Sequence, residues 1–393
     1  MKISKIQTHR LVGVPMEPPP FRQTPNATDA LVVEVATDEG ISGWSLASAV
    51  TQSARSLAGD TDAQDRGERS FGYASGLNGA FIDGYLSSYL LGMDPVATEA
   101  IRLGIRKTFR ERDIGALLTS AISTIDIALW DIKGKVFGVP VHRLLGGARD
   151  RVPVYITHGA AYGSDPRYTT EELVEEAVEL VRQGNRSLKN VVGRQAIPDP
   201  DDDYRRMKAI REAVGPDISL SMDGVMRMSL SQALRLCKLC EELNIAFIEE
   251  PVYQSDPILL AELRRQTIVP IAAPPNPRVS ARTLLVSGSV DILHPNVMHH
   301  EGYSGALGIS EMAAAFDIPI GHGNGSGPHN IAFQAGVRNG REIEYHYHRW
   351  KAYEAIFKNV PPPVDGYLTV SQQPGLDLEP REGLIEEYGV TRS

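Results

Sequence analysis

The chain has 393 residues and a formal net charge of −9, with 42% hydrophobic and 23% charged residues. This is ordinary soluble composition, long enough for two domains with a large core. It carries no basic tract, so no nucleic-acid partner is expected, because phosphate binding asks for clustered Lys and Arg. No apolar run approaches the roughly 20 residues needed to cross a bilayer, so no membrane partner is expected.

The N-terminus, "MKISKIQTHRLVG", alternates like a strand and lacks the pattern of a secretion signal, which predicts a cytoplasmic location. "DALVVEVATDEGISGW" predicts a hairpin turning at Asp38-Glu39-Gly40. Polar stretches over 16–29 and 51–70 read as loops, and helical patterns follow up to "SAISTIDIALWDIKGKVFG". From Val152 the texture becomes a regular alternation. Short β-rich runs ("VPVYITHG", "SLKNVVG", "SLSMDG", "IAFIEEP", "VPIAAP", "DILHPN", "IPIGHG", "EIEYHY") are separated mostly by amphipathic helical patterns. The first such helix opens with a capping box from Thr169 to Glu172 and stops at Gly184. Eight strands alternating with helices predict a parallel barrel. Cys237 and Cys240 have C-x-x-C spacing, but Ala233, Leu236, Cys237, Cys240 and Leu243 share one helical face, which makes the cysteines core residues.

In such a barrel the C-terminal ends of the strands face the active site. Those ends are His158, Lys189, Asp223, Glu249, Pro274-Pro275, Asn296, His322 and Glu344. Asp223 and Glu249 end successive strands, so their carboxylates can converge on a hard cation such as Mg²⁺. His294 lies two residues before Asn296 and faces inward one layer deeper. His299 and His300 are adjacent in a loop and point apart, which disfavours a shared metal. Gly323, Gly325 and Gly327, just before His329, predict backbone packed close to an anionic group.

The segment "AISTIDIALWDIKGKVFGVPVHRLLGG", residues 121–147, closely resembles the signature of the mandelate racemase and muconate lactonizing group of the enolase superfamily. "SMDG", "FIEEP" and "DGYLTVSQQPGL" are similar to further family segments in the same order. The resemblance implies an α/β fold, a (β/α)7β TIM-like barrel with an α+β N-terminal capping domain. Its parts would be the cap over 1–120, the barrel over 121–349, and a segment over 350–393 returning to the cap. It also implies a small carboxylate substrate, hydroxy acid or sugar acid, and a homo-oligomer. In the family, three carboxylates hold Mg²⁺ and a base removes the proton α to the substrate carboxylate.

Carried over residue by residue, the resemblance makes Asp223 and Glu249 the first two metal ligands, but the third position is Pro275. Mg²⁺ is therefore expected to bind weakly or not at all, with water or Asn276 in the gap. Lys189 matches the first lysine of a Lys-x-Lys pair whose second position is Val191. His322 matches the histidine of a His–Asp dyad whose aspartate is replaced by Asn296, which is expected to accept a hydrogen bond from His322. Glu344 matches a carboxyl that can contact substrate. In the cap, Ser45-Leu46 stand where the family often has Gly-Glu. Three readings remain open: a divergent dehydratase-like enzyme, with His322, Lys189, Asn296 and Glu344 as catalytic candidates; a metal-independent lyase or isomerase using groups such as His294, His299, His300 and Glu301; and a non-catalytic relative that binds a small molecule.

Overall fold

The computed structural model describes residues 1–17, 27–47, 75–109, 111–159, 168–323, 325 and 327–390. Most of the two loops expected over 16–29 and 51–70 lies outside them.

Strands β1 (Ile3–Pro15), β2 (Ala27–Thr37) and β3 (Ser42–Leu46) form an antiparallel sheet in that order. Its hairpin turns at residues 38–40, where Gly40 adopts φ +80°. Helices α1 (Thr98–Thr108) and α2 (Glu111–Phe137) follow, and the inner face of the sheet packs against both through Ile3, Val33, Val35, Ile101, Ile125 and Leu129. The segment Gly115–Phe137 of α2 has mean hydropathy 1.3, so by length and composition it could cross a membrane, contrary to the expectation from sequence. It is 78% buried inside the protein, as the core helix of a folded domain is, because both the sheet and the barrel need an apolar face to close on.

Two aspartates in α2 explain part of the signature segment. Asp126 accepts hydrogen bonds from the Ser304 N–H (3.0 Å) and hydroxyl (2.6 Å). Asp131 accepts from the N–H of Trp44 (3.1 Å) on β3 and of Leu376 (2.8 Å) near the chain's end, and pairs with Lys135 (2.9 Å). These carboxylates are anchors between segments distant in sequence.

The barrel strands are β4 (Arg151–His158), β5 (Ser187–Val191), β6 (Ser219–Asp223), β7 (Ile245–Glu249), β8 (Ile271–Ala273), β9 (Ile292–Leu293) and β10 (Ile343–His346). Neighbours are parallel in the order β10-β4-β5-β6-β7-β8-β9. Ile320 bridges to Leu293 on one side and Gly340 on the other, so the expected seventh strand survives as one bridging residue. Helix α3 (Thr170–Arg182) carries the expected capping box of Thr169 and Glu172, and Cys237 and Cys240 lie buried on α4 (Leu230–Cys240). Burial pushes the Cys237 thiol up to about 12, which leaves it a packing group. Helix α5 (Gly302–Ala315) follows β9.

Near the chain's end, β11 (Tyr367–Thr369) pairs antiparallel with β4. Helix α6 (Leu384–Tyr388) packs on β1, and the N–H of Val390 donates to the Arg10 carbonyl (2.9 Å).

Candidate functional site

Strand register sets the layers of the barrel mouth. Asp223 pairs with Val191 on one side and Glu249 on the other, so the two acids share one level as expected. Lys189 stands two residues before Val191, hence one inward layer deeper. Its four-carbon stem climbs that layer and delivers Nζ among the carboxylates. Nζ lies 3.2 Å from Asp223 Oδ2 and 3.0 Å from Glu344 Oε1, and pairs closely with Glu249 Oε2. The Tyr155 ring lies beneath it, 5.1 Å from Nζ. Lys189 is 0% exposed.

Burial alone would lower the lysine, but the surrounding carboxylates hold its proton well above the ordinary lysine range. Burial would likewise raise Glu249, yet Lys189 and His294 beside it hold it well below the usual carboxylate range. Asp223 is pushed up to about 6 by burial, with Glu249 and Glu344 adding to the rise and Lys189 opposing it. One ammonium cannot fully balance three acids, and Asp223, whose side chain is 18% exposed, is the least compensated. Glu250, next in sequence, is raised to about 8, first by burial and then by its acidic neighbours.

The remaining groups knit this cluster together. His294 faces inward as expected, with Nδ1 2.8 Å from Glu249 Oε1. Glu344 accepts hydrogen bonds from the Thr157 hydroxyl and the Gly325 N–H. The anionic group near the glycine-rich turn is therefore the chain's own Glu344. Gly323 is required there, since a Cβ would collide with Glu249 Oε1 and lie 2.8 Å from His294 Nδ1. His329 instead packs edge-on against Tyr353 and Phe357.

The expected direction of the His322–Asn296 bond is reversed. Asn296 Oδ1 accepts from the Met298 N–H (2.9 Å) and from Asn330 Nδ2 (3.1 Å), which turns its Nδ2 towards the Gly323 carbonyl (3.0 Å) and His322 Nε2 (3.2 Å). His322 Nδ1 meets the backbone N–H of Glu344 at 3.2 Å. Both ring nitrogens thus face donors, a setting that rejects imidazolium. Burial lowers the ring to about 4, with Glu344 opposing.

Pro274 and Pro275 are buried where β8 ends. The Pro275 carbonyl lies 3.0 Å from His300 Nε2, while His300 Nδ1 lies 2.9 Å from the Asn296 N–H. His300 thereby ties the loop after β8 to the loop after β9. Asn276 does not fill the missing ligand position, because its Oδ1 accepts from the N–H groups of Arg278 and Val279 in its own turn. Glu301, in the left-handed region at φ +61°, pairs with Arg102 (2.5 Å) and Arg106 on α1. It braces the mouth against the cap.

These residues do not fit a divalent ion. Among the described residues, no three His, Cys, Asp or Glu side chains are grouped to hold a metal. The ammonium of Lys189 contacts Asp223, Glu249 and Glu344 together, and the other oxygen of Glu249 is engaged by His294.

Sequence reasoning missed Tyr155, Thr157, Glu250 and Arg349. Tyr155 and Thr157 share one face of β4, opposite in parity to His158, so taking His158 as the inward-facing end pointed to the wrong alternate residues. His158 itself turns to Glu176 (3.3 Å) and Asn190 (3.1 Å). Arg349, whose charge is felt by Glu344 and Asp223, follows β10 and carries no motif that marks it.

The chain matches the family model described as "Mandelate racemase / muconate lactonizing enzyme, N-terminal domain" over residues 8–146, and the "Enolase C-terminal domain-like" model over 172–384. It is 33% identical to the arabinonate dehydratase of Saccharolobus solfataricus over 274 residues, covering 68% of this chain and 72% of that one. It is 28% identical to the D-galactarolactone cycloisomerase of Agrobacterium fabrum, covering 99% of each. A racemase from Streptomyces coelicolor A3(2), solved with bound magnesium, superposes with a TM-score of 0.80 at 22% identity, covering 99% of this chain and 100% of that one. With both family models matched in order and the signature helix joining cap to barrel, the chain belongs to the mandelate racemase and muconate lactonizing group of the enolase superfamily.

Proposed function

We propose that this protein is a lyase of the sugar-acid dehydratase type, acting on a small polyhydroxy carboxylate at the barrel mouth. The observation that carries the reading is the convergence of Asp223, Glu249 and Glu344 on Lys189, with His322 bonded to Asn296 and to the Glu344 N–H beside them, in a family whose relatives include sugar-acid dehydratases. Dehydration removes the proton α to the carboxylate and expels the β-hydroxyl as water. Asp223 is the acid most open to solvent, so its carboxyl is the one a substrate meets first. His322 stays neutral at physiological pH and acts, if reached, as a neutral imidazole. Similarity to a cycloisomerase supports a second reading, an isomerase on the same substrate class.

The test is a library of sugar acids incubated with the protein and followed by NMR and by a keto-acid assay, for the wild type, Asp223→Asn and His322→Asn. Turnover by the wild type, reduced at least about a hundredfold in one of the variants, is expected. Ligands that bind the barrel mouth and return chemically unchanged would instead support the non-catalytic reading.

A further inference from the structure

We infer that Lys189 is the resident cation of this site, its ammonium taking the place that a divalent metal holds in the family. The inference rests on family membership and on the geometry of the cluster, and stands whether or not the substrate is a sugar acid.

Three observations converge on it. The ammonium contacts the carboxylates that match both retained ligand positions, Asp223 and Glu249, and also Glu344. The third ligand position is a buried proline whose carbonyl is engaged by His300. Lys189 also has nowhere to retreat: it is wholly buried, its stem rises past Tyr155, and the Val191 position above it offers no polar group. Three carboxylates around one ammonium carry two net negative charges, one more than three carboxylates around a divalent ion, so the exchange leaves the site more acidic. An ammonium donates in three directions, which matches three carboxylates at hydrogen-bonding range, and it needs no octahedral shell of oxygens.

Mn²⁺ binding to the EDTA-stripped protein, read by electron paramagnetic resonance of the free ion, tests this without reference to activity. The wild type is expected to bind no stoichiometric Mn²⁺ up to millimolar concentration. Pro275→Glu alone, which restores a carboxylate but keeps the ammonium, is expected to behave like the wild type. The double variant Lys189→Met, Pro275→Glu should bind one Mn²⁺ per chain at least about a hundredfold more tightly than the wild type. Circular dichroism reports whether each variant is folded. Wild-type protein that binds one Mn²⁺ and loses it on Asp223→Asn overturns the inference. So does Pro275→Glu binding as tightly as the double variant, or a folded double variant that ignores the ion. If the double variant does not fold, stoichiometric Mn²⁺ binding by the wild type or by Pro275→Glu overturns the inference, and its absence from both upholds it. Sugar-acid turnover by a metal-free wild type would uphold both readings; its absence with unchanged Mn²⁺ results would remove only the proposed function.

Discussion

Asp126 is a buried acid whose carboxyl is raised from 3.8 to about 7 by burial, against the lowering effect of its bonds to Ser304. Between these two values the folded protein holds a proton that the unfolded chain has released. Stability contributed by this group is therefore full at pH below about 4 and is lost as pH rises towards 7, with a slope of at most about 1.4 kcal/mol per pH unit. Asp126→Asn should flatten that part of the profile, as measured by urea unfolding at pH 5 and pH 7.5. An identical pH difference in variant and wild type would refute the assignment. The site residues teach a related lesson. Asp223 and Glu249 could be placed from sequence because strand-end position and period fix their level. The ion pairing of Lys189 could not, because it depends on a one-layer offset and on the reach of a long side chain. Nor could the orientation of the Asn296 amide, which is decided by Met298 and Asn330.

At the level of elements, the link between cap and mouth runs through Glu301, seated between α1 and the entry to α5. Its backbone N–H also donates to Ser123 on α2 (2.9 Å). Glu301→Ala leaves two arginines short of a partly buried partner and is expected to cost about 1–3 kcal/mol. Because the same loop carries His300, the variant should also raise hydrogen exchange at residues 296–300; unchanged exchange there would show that the brace does not reach the mouth. The strands were legible because each apolar run is separated from the next by a helical period. The exception is instructive. "IPIGHG" reads as a strand, yet among the described residues it pairs at Ile320 alone, and Gly321 and Gly323 beyond it leave room for His294 and Glu249.

For the whole molecule, the last described residues finish the cap. β1 is an edge strand of its sheet, and Gly389 and Val390 pair with Leu11 and Arg10 along part of its outer edge. An uncovered edge strand invites pairing with another chain. A chain truncated after Gly383 is expected to self-associate more strongly than the full chain at equal concentration, as followed by analytical ultracentrifugation. Equal behaviour would mean that this cover is dispensable. Asp131 draws a further consequence from the same closure. Beyond its local pair with Lys135, its remaining bonds form only when residue 44, residue 131 and residue 376 are brought together. On a translating ribosome the first of these emerges long before the last, so the hairpin must dwell without its partner while the whole barrel is being made. These bonds can close only after the segment carrying Leu376 has been made, so slowing translation over the barrel is expected to lengthen the interval in which a half-built cap is open to chaperones.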